Sequence, residues 1–342
     1  MKRAGHLFAQ ILDRENLRYA FYRARKGKRG RPDAEEFAAD LEANLYRIAR
    51  EVEAGDFPLG RFQQFMIHDP KLRIITAPCF AERVLHHAIM NVCEPHFEKF
   101  LIADTFACRC GKGRIAALQR ALQFSGRYAY AVKLDMRKYF QSISHDILLE
   151  RLGGRFKDRR LLELFRQIIH SHGGITGRGL PIGSLTSQHF ANFYLGWFDR
   201  FVKEQLRVSA YVRYMDDCVL WCHDRRTLVG WVDACRGFLR TRLDLEPKAR
   251  SPIIVLRHGM DFLGCRVYPN HLKLNRRSRR RFRRKLLDLA SEYSRGELSS
   301  IEHQQRLTSL LAFTRAGGVK SWKFRRDIIQ RVSVSGPWAQ TG

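Results

Sequence analysis

No apolar run in this chain approaches the ~20 residues needed to cross a bilayer as a helix. Nor does the N-terminus carry the charged-then-apolar pattern of a secretory leader. The two absences make a cytoplasmic protein with no membrane partner the expectation. The eight cysteines, at 79, 93, 108, 110, 218, 222, 235 and 265, include no Cys-x-x-Cys pair. Zinc ribbons and fingers use such pairs. Cys108-Arg109-Cys110 and the neighbours Cys222 and His223 are therefore read as reduced, largely apolar positions rather than zinc ligands. No internal repeat is visible. Acidic residues are scarce: 34 Asp and Glu stand against 62 Lys and Arg, a formal charge of +28. That surplus points to a polyanionic partner, although alone it also suits a ribosomal or membrane-surface protein. With 342 residues, 45% of them hydrophobic, the chain is too apolar for disorder and long enough for two or three subdomains.

Against this basic background stand two adjacent carboxylates, Asp216 and Asp217, inside the apolar stretch Ser209-Ala-Tyr-Val-Arg-Tyr-Met-Asp-Asp-Cys-Val-Leu-Trp221. Neighbouring like charges repel and suit a strand interior poorly. A divalent cation at a tight hairpin removes that cost, because hard cations take carboxylate oxygens. Asp135 ends a second apolar run that begins at Tyr130. Two metal ions held by such carboxylates would stabilise the attacking and leaving oxygens of a phosphoryl transfer. Read alone, an Asp-Asp pair is equally a plain hairpin turn. The apolar flanks and the second strand-ending aspartate favour the metal.

The first 65 residues read as helical, with Leu7, Ile11, Leu17 and Ala20 near helical spacing. A basic segment from Arg23 to Pro32 with two glycines interrupts them; it suits phosphate, or is a solvated loop. A helix over 33–54 would carry Phe37, Leu41, Leu45 and Ile48 on one face. Residues 62–78 form two strand-like runs about Asp69-Pro70. A helix after Pro78 carries Arg83, Leu85, Ile89 and Val92, and the basic, glycine-broken segment 106–114 precedes a helix from Ile115 to Leu122. From Asn275 the composition shifts. Residues 276–285 hold eight positive charges in ten positions and lead into helical runs over 286–290 and 301–313. Gly317-Gly318 and a last basic segment with Trp322 and Phe324 follow.

Tyr214-Met215-Asp216-Asp217 after a short strand, with an upstream apolar strand ending in Asp135, resembles the palm of a reverse transcriptase. The similarity runs from about Lys71 to about Val267 and continues more weakly into the basic C-terminal helices. It implies an α+β right-hand polymerase. A basic helical extension would span 1–65 and fingers 66–125, with 141–190 shared between fingers and palm. A palm of antiparallel sheet packed on helices would span 126–270, and a helical thumb 271–342. By the same resemblance Asp135, Asp216, Asp217 and the carbonyl of Met136 hold two Mg²⁺ ions, replaceable by Mn²⁺. Lys248 would lie near the pyrophosphate leaving group, donating a proton or neutralising charge. Lys71 and Arg73 would clamp the dNTP triphosphate, with Arg109, Lys112 and Arg114 as rival phosphate contacts. Phe140, five residues beyond Asp135, would pack under the sugar and exclude a ribose 2′ hydroxyl. Phe262-Leu-Gly-Cys265 matches a hairpin that grips the primer, Gly264 permitting close approach. Tyr214, Arg276, Arg279, Arg280 and Arg283 complete the expected contacts to an RNA–DNA duplex, the thumb arginines through salt-sensitive phosphate binding.

Leu180-Pro-Ile-Gly-Ser-Leu-Thr-Ser-Gln188 narrows the resemblance. Most reverse transcriptases have Gln-Gly-x-x-x-Ser-Pro here; this chain has Ile182 in the Gln place, Gly183 after it, and Gln188 in the Pro place. The form is similar to the signature of diversity-generating retroelement enzymes, which copy a template-repeat RNA into cDNA with frequent errors at adenines. That resemblance implies mutagenic retrohoming, a structured template RNA, an oligomeric accessory variability protein, and no room after the thumb for an RNase H or endonuclease domain. Ile182 can press on a base pair but cannot hydrogen-bond it, and apolar contact discriminates weakly; Ile182 can equally fill a helix-start pocket. Alternative readings are a group II intron-like or defence-associated reverse transcriptase or maturase, and a nucleic-acid-binding protein with an inactive palm, against which the intact carboxylates argue. We predict that Phe140→Ala admits ribonucleotides, measured as single-nucleotide incorporation of rNTP against dNTP. Unchanged discrimination would place the sugar gate elsewhere.

Overall fold

Strand and helix follow the side-chain pattern of each segment in the computed structural model, which describes residues 3–68, 72–171, 177–315 and 318–335. Strands β1 (Phe62–His68) and β2 (Leu72–Pro78) pair antiparallel, from Phe62 opposite Pro78 to His68 opposite Leu72. The expected turn at Asp69-Pro70 lies outside the described residues. A four-stranded antiparallel sheet follows, built from β3 (Tyr130–Leu134), β4 (Ala210–Tyr214), β5 (Asp217–Cys222) and β6 (Ile253–Val255) in the order β4-β5-β3-β6. β7 (Met260–Phe262), β8 (Cys265–Val267) and β9 (Leu272–Leu274) form a third antiparallel sheet. With helices flanking these sheets the chain is α+β. Among the described residues no helix is long and apolar enough to cross a membrane.

The four-stranded sheet is apolar on both faces, so each face needs a cover. Ala131, Ala210, Val212, Val219 and Trp221 share one face and join a core with helix Arg114–Arg127 and the β7–β9 sheet. Val132, Leu134, Tyr211, Cys218 and Leu220 alternate onto the other face and join the larger core. That core also takes in the N-terminal helices, helix Phe80–Glu98 and helix Leu185–Tyr194. The single helix expected over 33–54 is two, Pro32–Ala39 and Leu41–Ala54. Asp40 leaves the helical region at φ −128°, ψ 58°, and the Asn44 side chain satisfies the freed carbonyl of Phe37 at 3.1 Å. Helix Arg276–Ser294 packs Phe282 and Leu286 against helix Trp322–Ser335 through Ile328, with helix Ser300–Arg315 alongside.

Beneath the β4–β5 hairpin lies a fully buried ion pair. Arg213 and Asp199 are both 0% exposed, and all five guanidinium N–H groups are used. Nε and Nη2 donate to the two Asp199 oxygens at 2.7 Å each. Nη1 donates to Asn192 Oδ1 at 2.8 Å and to the Met215 carbonyl at 3.0 Å, and Nη2 also reaches the Asn192 carbonyl at 3.0 Å. Tyr211 and Thr105 hydroxyls add 2.7 Å bonds to Asp199. Removing one member of a buried pair leaves an uncompensated charge. Asp199→Ala is therefore predicted to cost about 3–5 kcal/mol of stability, measured by denaturant melting; a loss under ~1 kcal/mol would show that water reaches the guanidinium.

Candidate active site

Tyr214 pairs with Asp217, so Met215 and Asp216 form the two-residue turn of the β4–β5 hairpin. Met215 sits at φ 55°, a left-handed value that costs a non-glycine residue on the order of 1–3 kcal/mol. The Arg213 bond to its carbonyl holds it there. The β3–β5 register ends with Leu134 opposite Cys218, so Asp135 and Asp217 are the next residues along the two chains at that end of the sheet. On the other edge Met136 bridges Pro247: Lys248 N–H donates to the Asp135 carbonyl at 2.8 Å and Arg137 N–H to the Glu246 carbonyl at 2.9 Å. In an antiparallel ladder this pattern turns Met136's own amide and carbonyl away from Pro247. Proline fits because its position needs no donor.

Asp135, Met136, Asp216 and Asp217 line a cleft of about 1190 Å³ together with Phe140, Ile182, Lys248 and Leu72. Gly264, Arg276, Arg277 and Arg280 form its far wall. Two of the carboxylates already face ammonium groups. Lys248 Nζ donates to Asp135 Oδ2, and Lys133 Nζ lies 3.5 Å from Asp217 Oδ1 while donating to the Asp261 carbonyl at 3.1 Å. Among the described residues, no three acidic, histidine or cysteine side chains are gathered for a metal ion. The donors themselves, carboxylates and a backbone carbonyl on one wall, are of the hard-oxygen kind that magnesium takes. The set fits that ion chemically, and a bound cation would compete with both lysines.

The side of the cleft that carries Phe140 and Ile182 is held by bonds to backbone. Tyr139, buried, donates its hydroxyl to the Ala191 carbonyl, and the Phe140 carbonyl accepts from Leu180 N–H at 2.8 Å. Phe140 stays half-buried, edge-on to Tyr139 at 5.7 Å. The Ile182 carbonyl accepts from Thr76 N–H of β2 at 2.7 Å. Gly183, at φ 127°, has no room for a side chain: a Cβ would lie 2.9 Å from both Ile75 Cγ2 and the Thr76 carbonyl. Gly264 and Leu263, both at positive φ, make the tight turn of the β7–β8 hairpin.

Other expected contacts are elsewhere. Arg109 is a structural residue: it bonds Glu98 at 2.7–3.0 Å and the carbonyls of Ile102 and Thr105, with its side chain 7% exposed. Lys112 donates to the Ala103 carbonyl and lies over the Phe106 ring. Arg114 donates to the Leu263 carbonyl at 2.9 Å and stacks on Phe313. Arg109 and Lys112 are taken by partners within eleven positions, whereas the carbonyl that takes Arg114 is 149 positions away. Gln188 points from its helix toward Cys108, whose thiol donates to it at 3.5 Å, and Tyr214 is half-buried against the second core. Arg279 and Arg283 are exposed on the helix outside the cleft wall. Lys71 and the side chain of Arg73 lie outside the described residues. Sequence reasoning missed Lys133 and Arg277. Lys133 was within reach, since strand alternation puts it on the face of Asp135.

Residues 67–267 match the family described as reverse transcriptase (RNA-dependent DNA polymerase). The chain belongs to this family. The reverse transcriptase region so delimited runs from late β1 to the end of β8 and contains every carboxylate of the cleft. The chain is 24% identical over 241 residues to Protein YkfC of Escherichia coli strain K12, covering 58% of this chain and 63% of that protein. It is 28% identical over 174 residues to Nuclear intron maturase 4, mitochondrial, of Arabidopsis thaliana, covering 47% of this chain and 21% of that protein. Against the Group II intron-encoded protein LtrA of Lactococcus lactis subsp. cremoris the identity is 22% over 171 residues, covering 47% and 28%. The chain thus spans less than two thirds of each of these relatives.

Proposed function

We propose that this reverse transcriptase family member is an RNA-directed DNA polymerase of the diversity-generating type, copying a template-repeat RNA into cDNA with frequent errors at adenines for mutagenic retrohoming. The observation that supports the polymerase reading is that Asp135, Asp216, Asp217, Phe140 and Ile182, all inside the family region, line one basic cleft. When bound by the aspartates and the Met136 carbonyl, magnesium supplies Lewis-acid stabilisation of charge on the attacking and leaving oxygens. The protein's own part is placement. Phe140 packs under the deoxyribose, and Lys248, already on Asp135, neutralises or protonates the departing pyrophosphate. Lys71 and Arg73 take the triphosphate. Arg276 and Arg280, with Arg277, take duplex phosphates, and Gly264 lets the primer approach the β7–β8 turn. Fingers, palm and thumb then correspond to residues 66–125, 126–270 and 271–342, after the extension over 1–65. A structured template RNA and an oligomeric accessory variability protein are the proposed partners, in the cytoplasm.

The diversity-generating subtype rests on Ile182-Gly183 and Ser187-Gln188, and on the half-buried Ile182 facing the cleft without a polar group. A group II intron-like reading is favoured by the relatives named as an intron maturase and an intron-encoded protein. Primer extension on an RNA template with Mg²⁺ tests the shared chemistry: Asp216→Ala is predicted to lose at least roughly a hundredfold in rate, and wild-type-like extension would remove the aspartate from the mechanism. Ile182→Gln tests the subtype. Sequenced cDNA is predicted to show fewer misincorporations opposite adenine, and an unchanged error spectrum rejects Ile182 as the source of infidelity.

A further inference from the structure

Ser184 stands at the N-cap of helix Leu185–Tyr194, where a serine hydroxyl ordinarily accepts from a first-turn amide. Here it makes no cap bond. Its Oγ lies 3.1 Å from His86 Nδ1 and 2.9 Å from Thr186 Oγ1. His86 Nε2 is 3.5 Å from Glu82 Oε1, one turn back on helix Phe80–Glu98, and Glu82 Oε2 accepts from Gly60 N–H at 3.0 Å. Glu82 is 0% exposed, and His86 and Ser184 are 1% exposed. A Ser–His–Glu chain sealed this completely reaches no substrate, so its resemblance to a hydrolytic relay has another meaning.

The two ends of the chain give that meaning. Gly60 is the foot of β1, and Ser184 directly follows Ile182-Gly183. The Ile182 loop is also fixed to β2, by the Thr76–Ile182 bond and by the absence of space at Gly183. It therefore has two attachments to the same hairpin, one direct and one through helix Phe80–Glu98. An apolar filling would serve packing alone at lower desolvation cost than three polar groups. Burial pushes the Glu82 carboxyl up to about 7 and the His86 imidazole down to about 3. His86 Nε2 and Glu82 Oε1 make no hydrogen bond, so the helix that carries both residues links the Gly60–Glu82 bond at one end to the His86–Ser184 bond at the other.

We propose that Glu82 and His86 are positioning residues that set the height of Ile182-Gly183 against the β1–β2 hairpin, and so determine how tightly the nascent base pair is held. The structural half of this stands on the bonds above; its consequence for nucleotide selection rests on the polymerase reading.

The test uses the full chain with His86→Phe, which keeps the ring and removes both nitrogens, and His86→Asn, which keeps a polar atom toward Ser184. Amide hydrogen exchange, which needs no activity, is read over 58–64, 74–78 and 180–186, with 130–134 and 217–222 as reference. We expect His86→Phe to accelerate exchange in the first three segments and leave the reference strands unchanged, and His86→Asn to restore 180–186. No acceleration, or equal acceleration in the reference strands, overturns the proposal. If His86→Phe does not fold, Glu82→Gln takes its place in the same comparison. In primer extension, His86→Phe is expected to raise KM for the correct dNTP about tenfold with kcat within about twofold, and to alter the ratio of correct to mismatched incorporation, with recovery in His86→Asn. A fall in kcat alone, with selection unchanged, overturns the role in selection. The expected exchange changes in the variants, together with a wild-type protein that gives no extension, overturn the polymerase reading and leave the positioning intact.

Discussion

A guanidinium buried beyond the reach of water, with every N–H satisfied, is the constraint on which the rest of this molecule depends. Arg213 joins β4 to two helices at once, through Asn192 and Asp199, and to the turn at Met215. Burying a charge is costly unless its partner and its remaining hydrogen bonds are all in place. The arrangement is therefore close to all-or-none: with the two helices docked, the Met215 carbonyl is held and the strained turn persists. Without them the turn has no reason to keep a left-handed methionine. The position of Asp216 and Asp217 is thus fixed from beneath, by residues that never face the cleft.

The cleft itself is arranged by registry. One antiparallel ladder ends with Leu134 opposite Cys218, just before Asp135 and Asp217, and a bridge on the opposite edge brings Lys248 against Asp135. Opposite charges compensate each other on that wall, so the carboxylates need not repel while no cation is present. The side with Phe140 and Ile182 is organised differently, by main-chain bonds and a glycine with no spare volume. Rigidity on one side is electrostatic and on the other steric.

Much of this was legible in the sequence. Apolar runs ending in aspartate gave away β3 and the β4–β5 hairpin, because carboxylates in such places need a reason. The strand pair at 62–78 and the basic helix from Arg276 followed from alternation and charge. Arg109, Lys112 and Arg114 sit in a glycine-broken basic segment that looks built for phosphate, yet each is taken by carbonyls, a carboxylate or a ring. Local composition cannot reveal a partner 149 positions away, as Leu263 is from Arg114. The break at Asp40 was hidden for a related reason: the apolar face continues across it, and only the backbone departs. Buried Glu82 and His86 look in sequence like ordinary surface positions of an amphipathic helix.

Arg114 also carries a mechanical implication. Its Nε holds the Leu263 carbonyl while its guanidinium lies on Phe313 of helix Ser300–Arg315, and Asn275, which caps helix Arg276–Ser294, donates its N–H to the Gly264 carbonyl at 3.2 Å. The small β7–β8 turn is thereby riveted to helices Arg276–Ser294 and Ser300–Arg315. A swing of those helices that keeps these links intact drags the turn along, so opening the far wall and loosening the hairpin are one coupled displacement rather than two.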